Sequence, residues 1–238
     1  LAEEAKALGV DLSLDGVRWR EIRDRTFGRI DPIAAGGEEY RRGQNHVTVY
    51  GGTATFVGDR TIEVTDPSGL SQLVSADRVV LAAGARPRRP RVEGLDGVPF
   101  HTSDTIMRID EVPEHLVIIG GGFIAAEMAH AFGTFGARVT IIGRSPRLLG
   151  HEDWEIGRRF TQALGHRYDL RLNVTVQSVR RSDAGIAVEC SDGQTVAGDV
   201  VLVAAGRVPN ADELCVERTG VTVDPYGYVI TDDTLATE

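Results

Sequence analysis

Apolar positions along this chain fall into successive rhythms. Up to about residue 45 the spacing is helical. Residues 5–9 read as the tail of one helix, and Val17, Trp19, Ile22, Phe27 and Ile30 as the apolar members of a second that begins near Asp15. Asp31-Pro32 then reads as the N-cap and first position of a new or kinked helix that ends before Gly43. From Val47 the period falls to two. This predicts short strands at residues 47–50, 53–56 and 61–64, with turns at Gly58-Asp59 and Pro67-Ser68-Gly69.

Further along, the apolar run Leu116-Val117-Ile118-Ile119 meets Gly120-Gly121-Gly122. Ile124, Met128, Ala131 and Phe135 follow at i, i+4, i+7 and i+11. That is strand, tight turn, helix. Gly136 stands where a helix C-cap belongs, and Arg138-Val139-Thr140-Ile141-Ile142 is the next strand. Residues 177–196 alternate again, with Ser182-Asp183-Ala184-Gly185 and Asp192-Gly193 as hairpin turns.

Two stretches read as buried strands closed alike by small residues, residues 77–87 with Ala82-Ala83-Gly84 and residues 199–209 with Ala204-Ala205-Gly206. Each follows a meander, so the chain reads as two related halves. Only the second half holds a full strand–helix–strand unit with the glycine turn. The first is expected to have lost its own, and the chain, which opens with Leu1, to be cut at its N-terminus. The fold class is α/β, a Rossmann-like three-layer nucleotide-binding domain with a β-meander, plus a truncated second domain of the same type. The junction is expected near Ser103-Asp104, with domains at residues 1–103 and 104–206 and a return segment at residues 207–238.

Gly120, Gly122 and Ala125 have the G-x-G-x-x-G/A spacing of a dinucleotide turn. The first glycine permits the turn, the second lets the backbone approach a pyrophosphate, and the small Ala125 lets helix and strand pack closely. The helix start then offers free N–H groups and partial positive charge to phosphate. Glycine at a strand-to-helix turn can also be purely steric, but the capped helix and second strand that follow favour a nucleotide site.

Composition narrows the classes. At 42% hydrophobic and 26% charged the chain is an ordinary globular protein, and a net charge of −9 argues against a nucleic-acid surface. Cys190 and Cys215 form no C-x-x-C or metal pattern, and the histidines form no triad or metal spacing; His130 and His151 read as surface or capping residues. No apolar run approaches ~18 residues and no signal-peptide pattern opens the chain, so a cytoplasmic protein without a membrane partner is expected.

The Gly120–Glu127 turn, the two Ala-Ala-Gly strands and Gly206-Arg207-Val208-Pro209-Asn210 resemble the two-domain flavoprotein disulfide reductases. Within that family, Phe27-Gly28-Arg29-Ile30-Asp31-Pro32-Ile33 and His101-Thr102-Ser103-Asp104-Thr105-Ile106-Met107-Arg108-Ile109 are most similar to the mycothione reductase branch. The resemblance implies a homodimeric enzyme that passes electrons from NADPH through FAD to an active-site disulfide and on to the disulfide of a low-molecular-weight thiol. It also implies that the redox cysteine pair and the flavin domain's own glycine turn lie before Leu1, and the His/Glu acid–base pair after Glu238. The chain then carries no catalytic residue and is expected to be inactive alone, with residues 1–103 a partial FAD-binding domain and residues 104–206 the NAD(P)-binding domain.

The resemblance also assigns candidate contacts. Gly120, Gly121, Gly122, Phe123, Ile124, Ala125, Glu127 and Gly206 line the NADP site, and Ala54, Gly84 and Ser103 the FAD site. Phe123 is either an aromatic gate over the flavin or a core residue. Glu127 either pairs with a lysine near the flavin or is a first-turn acid favoured by the helix dipole. An NAD-specific site puts a carboxylate at the end of the second strand to bind the ribose 2′-OH. Gly143 stands there, with Arg144 next and Arg147 close by, which argues for NADP unless both arginines are simply solvated. Some family members carry an Arg where this chain has Gly150, which leaves the 2′-phosphate less fully held or held by Arg147. Two other readings stay open, an NAD-linked dihydrolipoamide dehydrogenase or mercuric-type enzyme, and a non-catalytic dinucleotide-binding module.

Overall fold

The computed structural model describes residues 5, 8–11, 13, 15–183 and 185–237. They form two compact units, Leu1–Arg29 with Arg89–Gly206 and Ile30–Arg88 with Arg207–Glu238. Most of the helix tail expected at residues 5–9 lies outside the described residues.

Helix α1 (Trp19–Arg42) runs through Pro32 without a break, so no new helix starts at Asp31-Pro32. Proline lacks the N–H that the carbonyl of Gly28 would accept. Gly28 is exposed, so water can replace that one bond, and the helix continues. Residues 47–50, expected as a strand, form none: they lie at the surface, no strand among the described residues pairs with them, and the Arg42 guanidinium donates to the Val49 carbonyl (3.3 Å).

Strands β1 (Thr53–Gly58), β2 (Thr61–Thr65) and β3 (Ser71–Ser75) make an antiparallel meander, with Ala54 opposite Val64 and Phe56 opposite Ile62. Phe56 is buried against Ala211 and Val216. Residues 77–83 are a second correction. They form no strand; Val79 and Leu81 pack on the Phe56 cluster while Val80 is 87% exposed. A strand apolar on both faces needs a ladder neighbour and two covers, and among the described residues none pairs with it. After it comes β4 (Ala85–Pro87).

In the other unit, β5 (His115–Ile119), α2 (Phe123–Thr134), β6 (Arg138–Gly143), α3 (Trp154–Gly165) and β7 (Asp169–Leu172) alternate in the order that gives a parallel sheet. A second antiparallel meander follows, β8 (Val176–Ser182), β9 (Gly185–Cys190) and β10 (Thr195–Gly198), and β11 (Val200–Val203) returns to the sheet, whose order is β11-β5-β6-β7. Every residue of β5 is buried because both faces are covered. Leu116 and Ile118 pack with Ala125, Ala129 and Phe132 of α2, while Val117 and Ile119 pack with Ile186, Val188 and Val196 of the meander. This is the three-layer arrangement.

Helix α2 turns Ala125, Ala129 and Phe132 onto the sheet, with Ile124, Met128 and Phe135 flanking, one position away from the expected face. Its end is a Schellman motif: Ala137 N–H reaches the Phe132 carbonyl (3.0 Å), and Gly136, at φ 105°, reaches that of Gly133 (3.3 Å).

One of the boundaries between the compact units falls at Arg88/Arg89. The proline- and arginine-rich stretch is tied to the parallel-sheet unit. Glu93 bridges Ser178 of β8, Leu95 is buried in the core, and His101 bridges Leu202 of β11. Past Gly206, β12 (Arg207–Pro209) pairs antiparallel with β4, Val208 opposite Arg86. The stretches that follow the two Ala-Ala-Gly turns are therefore partners in one ribbon.

Candidate functional site

The glycine turn sits at the C-terminal ends of β5 and β6, where ligands bind in open α/β sheets. Gly120 takes φ 135°, donates to the Ile142 carbonyl (2.9 Å), and lies against the carbonyl of Ala204. Gly121 accepts from the Leu149 N–H (2.8 Å). Gly122 is the N-cap residue of α2; it offers no side-chain cap, and a Cβ built there would meet nothing within 4 Å. No side chain caps the start of α2, and the space beside Gly122 is open. That is what an incoming pyrophosphate requires.

Phe123 is 61% exposed at the head of the helix. Ile124 is half-buried, and Ala125 is fully buried against the sheet, as close helix–strand packing needs. Glu127 is exposed and makes no hydrogen bond or ion pair with the described residues.

Strand β6 delivers the loop beside this turn. Gly143 is buried, and a Cβ there would stand 3.9 Å from the Cα of Gly121 and 3.2 Å from Leu172 Cδ2. Arg144 next to it is exposed and has no partner among the described residues. Arg147 differs. Its guanidinium donates to the carbonyls of Leu149 (3.3 Å), Glu152 (3.4 Å) and Gly150 (3.3 Å), all on its own loop. Gly206 follows β11 with φ 110° and is exposed.

The flavin-side candidates are spread over both units. Ala54, half-buried in β1, and Gly84, whose carbonyl accepts from Asn210 N–H (3.1 Å), belong to one; Ser103, which donates to Asp104 (3.1 Å), belongs to the other.

Several residues around the site carry no local signal. The Ala204 carbonyl, the Leu149 N–H and Gly157 matter through tertiary approach only. His115 was also missed as a buried polar centre. It lies at the opposite, N-terminal end of β5, where Nδ1 accepts from Arg138 (2.9 Å), leaving Nε2–H to donate to Thr140 (2.9 Å). Burial, with Arg138 beside it, pushes its pKa below the ordinary value. Its position away from the glycine turn makes it a structural group.

The profile of the pyridine nucleotide-disulphide oxidoreductases matches residues 5–238. Mycothione reductase of Mycobacterium tuberculosis (strain ATCC 25618 / H37Rv) is 44% identical over 233 residues, 96% of this chain and 50% of the relative. Mercuric reductase of Streptomyces lividans is 35% identical over 191 residues, 79% of this chain and 40% of the relative. Among solved structures, the Cu(II) complex of the flavoprotein disulfide reductase RclA from Escherichia coli superposes with a TM-score of 0.84 at 26% identity, covering 92% of this chain and 49% of that one. The chain spans about half the length of the curated relatives it matches. No helix among the described residues is long and apolar enough to cross a membrane.

Proposed function

Because the chain belongs to the pyridine nucleotide-disulphide oxidoreductase family, we propose that its parallel-sheet unit is the NADPH site of an FAD-dependent reductase whose substrate is the disulfide mycothione. One observation carries the nucleotide part. The uncapped, open start of α2 at Gly122 lies beside a loop whose Arg144 is exposed and unpaired among the described residues.

In this reading the N–H groups at the head of α2 bind the pyrophosphate, and Arg144 forks onto the 2′-phosphate. Gly143 supplies no carboxylate for a ribose 2′-OH and so favours NADP over NAD. Bound nicotinamide would supply hydride to the flavin. Phe123, exposed at the head of α2, suits a side chain that covers a ring and moves aside. Ala54, Gly84 and Ser103 are the flavin contacts, and Glu127 awaits a basic partner. The similarity to mycothione reductase supports the substrate, and with it a homodimeric, cytoplasmic enzyme. The two cysteines of this chain, Cys190 and Cys215, are both free thiols, and by itself the chain should not turn over a disulfide.

Calorimetric titration of NADPH and NADH at two salt concentrations tests the assignment. A charge-assisted hydrogen bond to phosphate contributes roughly 1.5–3 kcal/mol, so Arg144 should favour NADPH by about 10- to 100-fold. Exposure holds the value to the lower end, and salt should reduce it. Arg144→Ala should weaken NADPH and spare NADH. Equal affinities for both nucleotides, or multiple turnovers of a low-molecular-weight disulfide by this chain alone, would count against the proposal.

A further inference from the structure

We infer that Arg147 is a positioning residue: it stays off the 2′-phosphate and holds the loop that presents Arg144, and the missing side chain of Gly157 makes room for it. This rests on the assignment of Arg144 above.

The loop after β6 has no regular structure, and Leu149 within it takes φ 52°, which a leucine adopts only when its surroundings impose it. Three attachments impose it. The Leu149 N–H reaches the Gly121 carbonyl (2.8 Å), tying the loop to the nucleotide turn. The Leu148 N–H donates to Thr161 Oγ1 (2.9 Å), whose own proton goes to the Gly157 carbonyl (2.7 Å), tying it to α3. The third is the Arg147 guanidinium, on which the carbonyls of Leu149, Gly150 and Glu152 converge at 3.3–3.4 Å. A planar fork with several fixed N–H groups can serve three acceptors at once; an ammonium on a flexible stem cannot hold that geometry.

Gly157 explains how the fork fits. A Cβ there would stand 2.5 Å from Arg147 Nη1 and 3.2 Å from its Cδ. A Cβ would also stand 3.1 Å from the Leu148 carbonyl, so a larger residue at 157 must shift the guanidinium and press on the loop backbone. The two arginines, three positions apart, thus have opposite surroundings: Arg147 is committed to its own backbone, whereas Arg144 is exposed and unpaired among the described residues. Holding the loop in one shape spares Arg144 the ordering cost when phosphate arrives.

The test is a double-mutant cycle on this chain, read as the ratio of NADPH to NADH affinity at two salt concentrations. Arg147→Ala should lower the ratio by about threefold to tenfold. In an Arg144→Ala background the same change should move it by less than about twofold, the limit of additivity error. Gly157→Ala removes no charge, yet should reproduce the loss, and Arg147→Lys should not restore the ratio. Full additivity of the two arginine changes would show Arg147 on the phosphate itself and overturn the inference. So would an unchanged ratio in Arg147→Ala, or in Gly157→Ala when Arg147→Ala lowers it. An unchanged ratio in Arg144→Ala alone would instead overturn the assignment of Arg144.

Discussion

Gly120 faces the carbonyl of Ala204 so closely that a Cβ on it would stand 2.1 Å from the oxygen. The contact follows from register. Strands β5 and β11 run parallel with Ile119 opposite Val203, and the Ala204 N–H continues the ladder onto the Ile119 carbonyl (2.8 Å). The first glycine of the turn is therefore required twice, by its φ of 135° and by the Ala-Ala-Gly end of the neighbouring strand.

Replacing Gly120 by Ala should cost at least about 2 kcal/mol, because a strained φ and a backbone clash add. Gly122→Ala should cost less than about 1 kcal/mol, since the position is open and non-helical. That second variant should instead lose about tenfold or more in NADPH affinity as the new methyl meets the pyrophosphate. Urea midpoints and nucleotide titrations separate the two. A native-like midpoint for Gly120→Ala would contradict the close approach.

Phe123 and Phe132 lie on one helix and should respond oppositely. Phe132 is fully buried, with its ring 5.4 Å from that of Trp19, whose Nε1–H donates to the Ile109 carbonyl (2.8 Å). Phe132→Ala should cost about 3–5 kcal/mol. The exposed Phe123 should change stability by no more than about 0.5 kcal/mol on truncation. Comparable losses in denaturant unfolding would refute the exposure of Phe123.

Asp212 should titrate at about 2, because Arg86 forks onto both of its oxygens (2.8 and 2.7 Å). Its folded pKa lies below the ordinary 3.8, so the pair's contribution is complete above about 3.8 and is lost as pH falls through about 2. Asp212 is exposed and Arg86 partly so, and solvent screening keeps that contribution small. Carboxyl NMR titration of Arg86→Ala should return Asp212 toward 3.8; an unmoved titration would rule out the fork as the cause.

His115 predicts an acid limb in stability. Burial and Arg138 keep it neutral in the fold, although Asp199, Asp169 and the Ala197 carbonyl act the other way. The unfolded chain takes up the proton at about 6.5, so below that value it binds more protons than the native state and stability falls with pH. His101, whose pKa is also lowered by burial, adds to the same limb. Melting temperatures of His115→Gln should fall less steeply on acidification than those of the unmutated chain. Identical slopes would exclude His115 as a source.

Much of the parallel-sheet unit was legible before any coordinates. Leu116–Ile119, the three glycines, the cap at Gly136 and the hairpins of residues 177–196 are governed by neighbours a few positions away, so local pattern determines them. Residues 77–83 were misread for the converse reason. Their apolar run is as strong as that of β11, but β11 has β5 beside it and the earlier run has no ladder partner among the described residues. At Pro32 local pattern leaves a new or a kinked helix open, and whether the lost hydrogen bond ends the helix depends on the exposure of Gly28.

By itself, then, the amino-acid order determined which segments turn, cap and alternate, and that a strand-to-helix glycine turn lies at Gly120–Gly122, because those follow from backbone sterics and short-range periodicity. Tertiary structure alone decided that the arginine-rich stretch before Ser103 joins the parallel-sheet unit, and that Arg144 faces solvent while Arg147 folds back onto its own loop. Those outcomes depend on which carbonyls and side chains arrive from residues distant in sequence, and no local pattern records their arrival.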